Sequence, residues 1–169
     1  MVRLDFADLF REQYPRIYRY VRYRVDDDLT AEDLTAEVFE RAYRFRDSYD
    51  PARSAFSTWL MQIAHNWVNN HLVSRDRQQQ HEVDTGDDME HLPTAERSPE
   101  AQTIAREAVA RLLDCVDHLS SRDRQIIALR FGSEMRNKDI AEMLGLKEHT
   151  VSVIVLRALQ QLRTCQGEP

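Results

Sequence analysis

The chain predicts an all-α fold of two small helical domains joined by a flexible acidic linker, the C-terminal one a helix-turn-helix. Three observations carry that expectation. Apolar residues recur at helical spacing through most of the 169 residues, only four glycines interrupt them, and no alternating strand pattern appears. Residues 78–100 turn polar and acidic, with hardly any apolar side chains to bury, so their composition cannot offset the entropy of ordering. The stretch NKDIAEMLGLKEHTV sets a short helix, Gly145 and a longer helix in succession. Ile140, Ala141, Leu144, Leu146 and Val151 occupy the packing positions that such a motif requires.

The N-terminal domain is expected over residues 1–77. Its first helix runs from about Phe6 to Val25, carrying Phe6, Leu9, Phe10, Ile17 and Val21, with Pro15 as a kink. Asp26–Asp28 make an acidic turn, and Thr30 followed by Asp33 reads as a capping box for the next helix. Across DLTAEVFERAYR the stripe Leu34, Val38, Ala42 and Phe45 separates from Asp33, Glu37, Glu40, Arg41 and Arg44, which makes the helix amphipathic. DSYDPARS, residues 47–54, is a structured loop by its Asp-Pro pair and serines. The third helix spans about Ser57 to Val73 and carries Trp59, Leu60, Ile63, Ala64 and Trp67. Tryptophans at that spacing read as one-sided core.

The C-terminal domain is expected over residues 101–169. Ala101 to Leu119 opens it as a helix, Ser120 with Asp123 caps the next, and Ile126, Ile127, Leu129 and Phe131 are its apolar residues. In the long helix from Lys147 to Arg163, Val151, Val155, Ala158, Leu159 and Leu162 share the inward arc at 100° per residue. His149, Val153, Arg157 and Gln160 hold the opposite arc, flanked by Thr150, Ile154 and Leu156.

Charge and cysteines narrow the function classes. Residues 1–77 carry 12 Lys/Arg against 13 Asp/Glu, residues 78–100 carry 1 against 7, and residues 101–169 carry 10 against 9. The net charge of −6 therefore sits in the middle. A free-standing DNA-binding protein normally shows a basic surplus, because counterion release supplies its nonspecific affinity. This chain must bind DNA, if it does, within a larger assembly. Cys115 and Cys165 fit no metal-ligand spacing and are expected to be separate thiols, one in the core and one in the tail, in a reducing cytoplasm. MVRLDFADLF lacks a signal-peptide core and no apolar run reaches membrane-spanning length, so a cytoplasmic protein without membrane insertion is expected. His65 and His71 do not share a helical face, and neither a metal nor any other cofactor is expected. No Gly-rich phosphate loop, metal cluster or nucleophile motif speaks for an enzyme.

Taken in order, LFREQYPRIYRYVRYRV, DLTAEVFERAYR, SAFSTWLMQIAHNWVNNHL and RQIIALRFGSEMRNKDIAEMLGLKEHTV resemble an extracytoplasmic-function (ECF) sigma factor, a bacterial transcription initiation factor. The resemblance covers about residues 6–75 and 101–163. It implies that core RNA polymerase and promoter DNA are the partners. Asp33, Glu37 and Arg41 would dock on the polymerase clamp, although the family's usual glutamine is Ala36 here. Phe56, Trp59, Asn66 and Asn70 would grip the melted minus-ten element, the two asparagines as i, i+4 neighbours facing one base edge. His65 and Ser57 stand where the family commonly has arginine, which weakens phosphate attraction. The acidic linker would thread the polymerase near its cleft, or act as a plain tether.

On the recognition helix His149, Thr150, Ser152, Val153 and Arg157 would contact the minus-thirty-five element. Here the chain departs from its family: Val153, Ile154 and Leu156 replace polar and basic residues. They either pack within the domain or form a patch for an anti-sigma factor, another protein or a second copy. Two other functions stay open: a helix-turn-helix regulator with an N-terminal sensory domain, and a sigma-like interaction protein with weak DNA reading of its own.

Overall fold

A computed structural model describes residues 5–79 and 99–167. The first 75 of these form α1 (Phe6–Arg24), α2 (Asp28–Arg44), a 3-10 turn (Arg46–Ser48) and α3 (Phe56–Gln79). The second stretch forms α4 (Pro99–Asp117), α5 (Ser121–Ile127), a π turn (Ala128–Gly132), α6 (Asn137–Leu144) and α7 (Glu148–Cys165). Among the described residues there is no strand, and no helix is long and apolar enough to cross a membrane. The predicted linker falls mostly on residues outside the description; α3 continues to Gln79, past the predicted end at Val73.

Local chemistry sets the helix ends. Asp5 caps α1 by accepting from the Ala7 amide, and α1 runs as one helix through Pro15. The cap of α2 lies three residues before the predicted one. Asp27 accepts from both the amide and the hydroxyl of Thr30, so Thr30 is a donor inside the first turn. Those bonds hold the Asp27 carboxyl below its usual pKa against the raising effect of its partial burial. Ser120 caps α5 through the Asp123 amide as expected. Gly145 takes the left-handed conformation (φ 65°) after α6, and the Leu146 amide reaches back to the Ala141 carbonyl at 2.8 Å.

Ile17, Tyr20 and Val21 of α1 pack with Leu34, Val38 and Ala42 of α2 and Leu60, Met61, Ala64 and Val68 of α3. The same apolar cluster continues into Ile126, Leu129, Ile140 and Val151, so the two helical regions share one core. Phe45, predicted for the α2 stripe, is half exposed because the helix ends there and the chain turns into the 3-10 segment.

The seam between the regions is α1 against the π turn. Gly132 lies so close to α1 that a Cβ placed on it would come within 2.9 Å of the Tyr20 Cα. Arg16 donates to the Ser133 carbonyl at 2.6 Å, Arg19 donates to the Gly132 carbonyl at 3.2 Å, and Arg19 also pairs with Glu134. Arg124 of α5 donates to the Tyr23 carbonyl and pairs with Asp117, with Asp26 close by.

The cysteine expectation is corrected. α4 packs along the C-terminal part of α7, which brings the two Cα atoms within 5.9 Å, and Cys115 and Cys165 form a disulfide across 50 residues of sequence. Separation along the chain carried no information about that proximity.

Candidate functional site

The face predicted for polymerase is built on α2 and braced by α3. Asp33 and Glu37 are exposed and Arg41 half-buried, one turn apart in succession. Trp67 of α3 holds two of them. Its indole N–H donates to the Glu37 carboxylate at 2.6 Å, and the Arg41 guanidinium carbon stacks 3.3 Å from the indole centroid. Glu37 and Arg41 are thus oriented before any partner arrives. Trp67, expected as core, does pack against it on one side while its polar edge serves this surface.

The predicted minus-ten residues come together at the start and middle of α3. Phe56 and Trp59 are half-buried and meet Tyr49 from the preceding loop in a three-ring cluster with centroid spacings of 5.3–5.6 Å. Tyr49 fixes the loop by donating its hydroxyl to the Ser54 carbonyl. Sequence reasoning missed Tyr49; its signal was an aromatic in a loop of small and polar residues. Asn66 and Asn70 are both exposed one turn apart, and Asn66 also accepts from Gln62. Their amides face outward, free of the core, where a base edge could be met.

His65, which stands where the family commonly has arginine, is buried, because position 65 faces α1 and α5. Its Nδ1 meets the Tyr20 hydroxyl at 3.3 Å, and its Nε2 faces the amide nitrogens of Asn69 and Gln125 at 3.1 and 3.4 Å. Two donors on Nε2 fix the tautomer with the proton on Nδ1. Burial, reinforced by the nearby Arg24, lowers the His65 pKa to about 4. Gln125 belongs to the second region, so this neutral imidazole sits at the seam.

The recognition helix α7 is placed as expected, but its outward residues divide. His149 and Val153 are exposed, and Thr150 and Ser152 half-buried. Ser152 is turned inward, accepting from Asn137 at 3.0 Å and donating to the Glu148 carbonyl. Arg157 is committed to Asp123, a carboxylate 4% exposed on α5, so it braces the domain. The patch is corrected at one position: Ile154 is buried, since it stands one turn from Val151 and from Ala158 on the inward arc. Val153 and Leu156 remain exposed, at 47% and 69%. Among the described residues no cluster of side chains could hold a metal ion.

Residues 9–78 match Sigma-70 region 2, and residues 115–164 match Sigma-70, region 4. The chain is 34% identical over 157 residues to the ECF RNA polymerase sigma factor BldN of Streptomyces coelicolor, covering 93% of this chain and 58% of that protein's length. It is 31% identical over 143 residues to the RNA polymerase sigma-H factor of Pseudomonas aeruginosa, covering 82% of this chain and 74% of that one. In fold it resembles the sigma factor RpoE of Bartonella quintana, solved in complex with the anti-sigma factor NepR. The TM-score is 0.76 at 22% identity, over 96% of this chain and 97% of that one. With regions 2 and 4 in order on a shared helical core, the chain belongs to the sigma-70 family of RNA polymerase sigma factors, in its ECF class.

Proposed function

We infer that the protein binds core RNA polymerase in the cytoplasm and directs it to specific promoters, as an initiation factor and not an enzyme. The observation that carries this reading is the outward pairing of two surfaces on region 2. One is the Asp33–Glu37–Arg41 face preset by Trp67, and the other is the Asn66/Asn70 pair beside the Tyr49–Phe56–Trp59 rings. The first docks polymerase. The second captures bases from the melted strand, where stacking and amide contacts offset the few kcal/mol that unstacking costs. Region 4 then places α7 in the major groove of the minus-thirty-five element, through His149, Thr150 and Val153, with Ser152 held by Asn137 and Arg157 positioning the helix from α5.

Reading both elements at once requires the regions to part. The two elements lie about 25 base pairs apart, about 85 Å at about 3.4 Å per pair. A compact chain of this length is only about 40 Å across. The α1–π turn seam therefore opens on the promoter, which leaves the linker to span the gap. Run-off transcription with core polymerase and selected promoter DNA tests the reading. Transcripts should depend on this protein, and Asn66→Ala with Asn70→Ala should keep polymerase binding but lose permanganate reactivity of melted thymines. Normal opening by that variant would remove the asparagines from strand capture.

A further inference from the structure

We propose that α7 identifies its promoter element through thymine methyl groups, with Val153 and Leu156 as the specificity-determining contacts. This rests on α7 being the groove-reading helix, as inferred above. The outward stripe of α7 runs His149, Val153, Leu156, Gln160, each a turn from the next. Its centre is apolar. The side chains that could have hydrogen-bonded a base there are engaged elsewhere: Ser152 with Asn137 and the Glu148 carbonyl, Arg157 with buried Asp123.

On the major-groove edges of the four bases, the apolar feature is the C5-methyl of thymine. An exposed valine and leucine three residues apart match adjacent methyls and match nothing on a G·C pair. A protein partner fits less well. With Ile154 buried, two side chains are all that the patch offers at its centre, whereas a stable protein interface covers about 800 Å² per partner. Exposed Lys147 stands at the start of α7, and exposed Lys138 follows Asn137, whose side chain meets Ser152 of α7; such cations suit the phosphates that flank a groove.

Full-length protein with core polymerase would be used to select duplexes from a random pool. The recovered upstream element would then be remade with deoxyuridine for thymine, which removes the methyls and leaves every hydrogen-bonding group. Wild-type holoenzyme should bind the uracil duplex about fourfold more weakly per contacted methyl, about fifteenfold for two. Val153→Ala with Leu156→Ala, both at exposed positions, should bind the two duplexes within about twofold of each other and melt like wild type. Equal binding of both duplexes by wild type overturns the inference while leaving the initiation reading intact. So does equal binding accompanied by loss of self-association in the double variant, which assigns the patch to protein contact. A holoenzyme that selects no DNA at all overturns both.

Discussion

Gly132→Ala tests the seam between the regions. The new Cβ would stand 2.9 Å from the Tyr20 Cα and 3.1 Å from both the Tyr20 amide nitrogen and the Arg19 carbonyl oxygen. All three are backbone atoms of α1, so no side-chain rotation relieves the contact. The helix and the π turn must separate by about half an ångström, and overpacking of this kind costs about 1–3 kcal/mol. The Arg19 bond to the Gly132 carbonyl, already 3.2 Å, would lengthen further and remove about 1 kcal/mol more. Against this stands the helical advantage of alanine over glycine, about 1 kcal/mol. The clash wins, and a net loss of about 1–3 kcal/mol is expected. Urea titration should show a lower midpoint, and small-angle scattering a larger radius of gyration as region 4 swings away from region 2. A midpoint equal to or above wild type, with unchanged radius, would refute the reasoning, because propensity would then outweigh contact.

Reversing Asp33 and Glu37 to lysine should weaken core polymerase binding by about tenfold or more with helical circular dichroism retained; unchanged affinity in a pull-down rejects the docking face. His65 gives the stability a pH dependence: its folded pKa, about 4, lies below the unfolded value of 6.5. The unfolded chain therefore takes up a proton first as pH falls. Stability present above pH 6.5 should drop by about 3 kcal/mol on the way to pH 4, and His65→Gln should flatten that part of the urea-midpoint profile. Dithiothreitol should lower wild-type stability by about 4 kcal/mol for a loop of this length and leave Cys165→Ser unmoved; equal urea midpoints with and without reductant would show that the bridge does not stabilise the fold.

Helical periodicity was enough to place α1, α2, α3 and the helix-turn-helix, since each buries one stripe and is punctuated by short polar residues. Contacts between distant segments were not legible. Whether Arg157 faces DNA or Asp123 depends on where α5 packs, 34 residues earlier. Ile154 stayed open between packing and patch because it sits at the edge of the inward arc, where a few degrees of helix rotation decide burial. His65, Tyr20, Arg24 and Gln125 form a polar node from three helices, and no local pattern announces that a histidine will be enclosed by polar groups of distant segments. The surfaces on α2 and α3 were read as separate, and the Trp67 bridge that joins them is a tertiary fact.

The covalent tie between α4 and the end of α7 also decides how force travels through region 4. With 50 residues closed into one loop, about 170 Å of contour length, at about 3.4 Å per residue, cannot be drawn out by pulling on the chain ends. Tension arriving along the linker enters α4, crosses at Cys115 and reaches the far end of the recognition helix at Cys165. The hydrogen bonds of α5, the π turn and α6 are bypassed. In the oxidised protein a polymerase straining against its upstream contact would therefore tug the helix from its C-terminal end as a rigid rod, whereas in the reduced protein the same tug would peel the domain apart helix by helix.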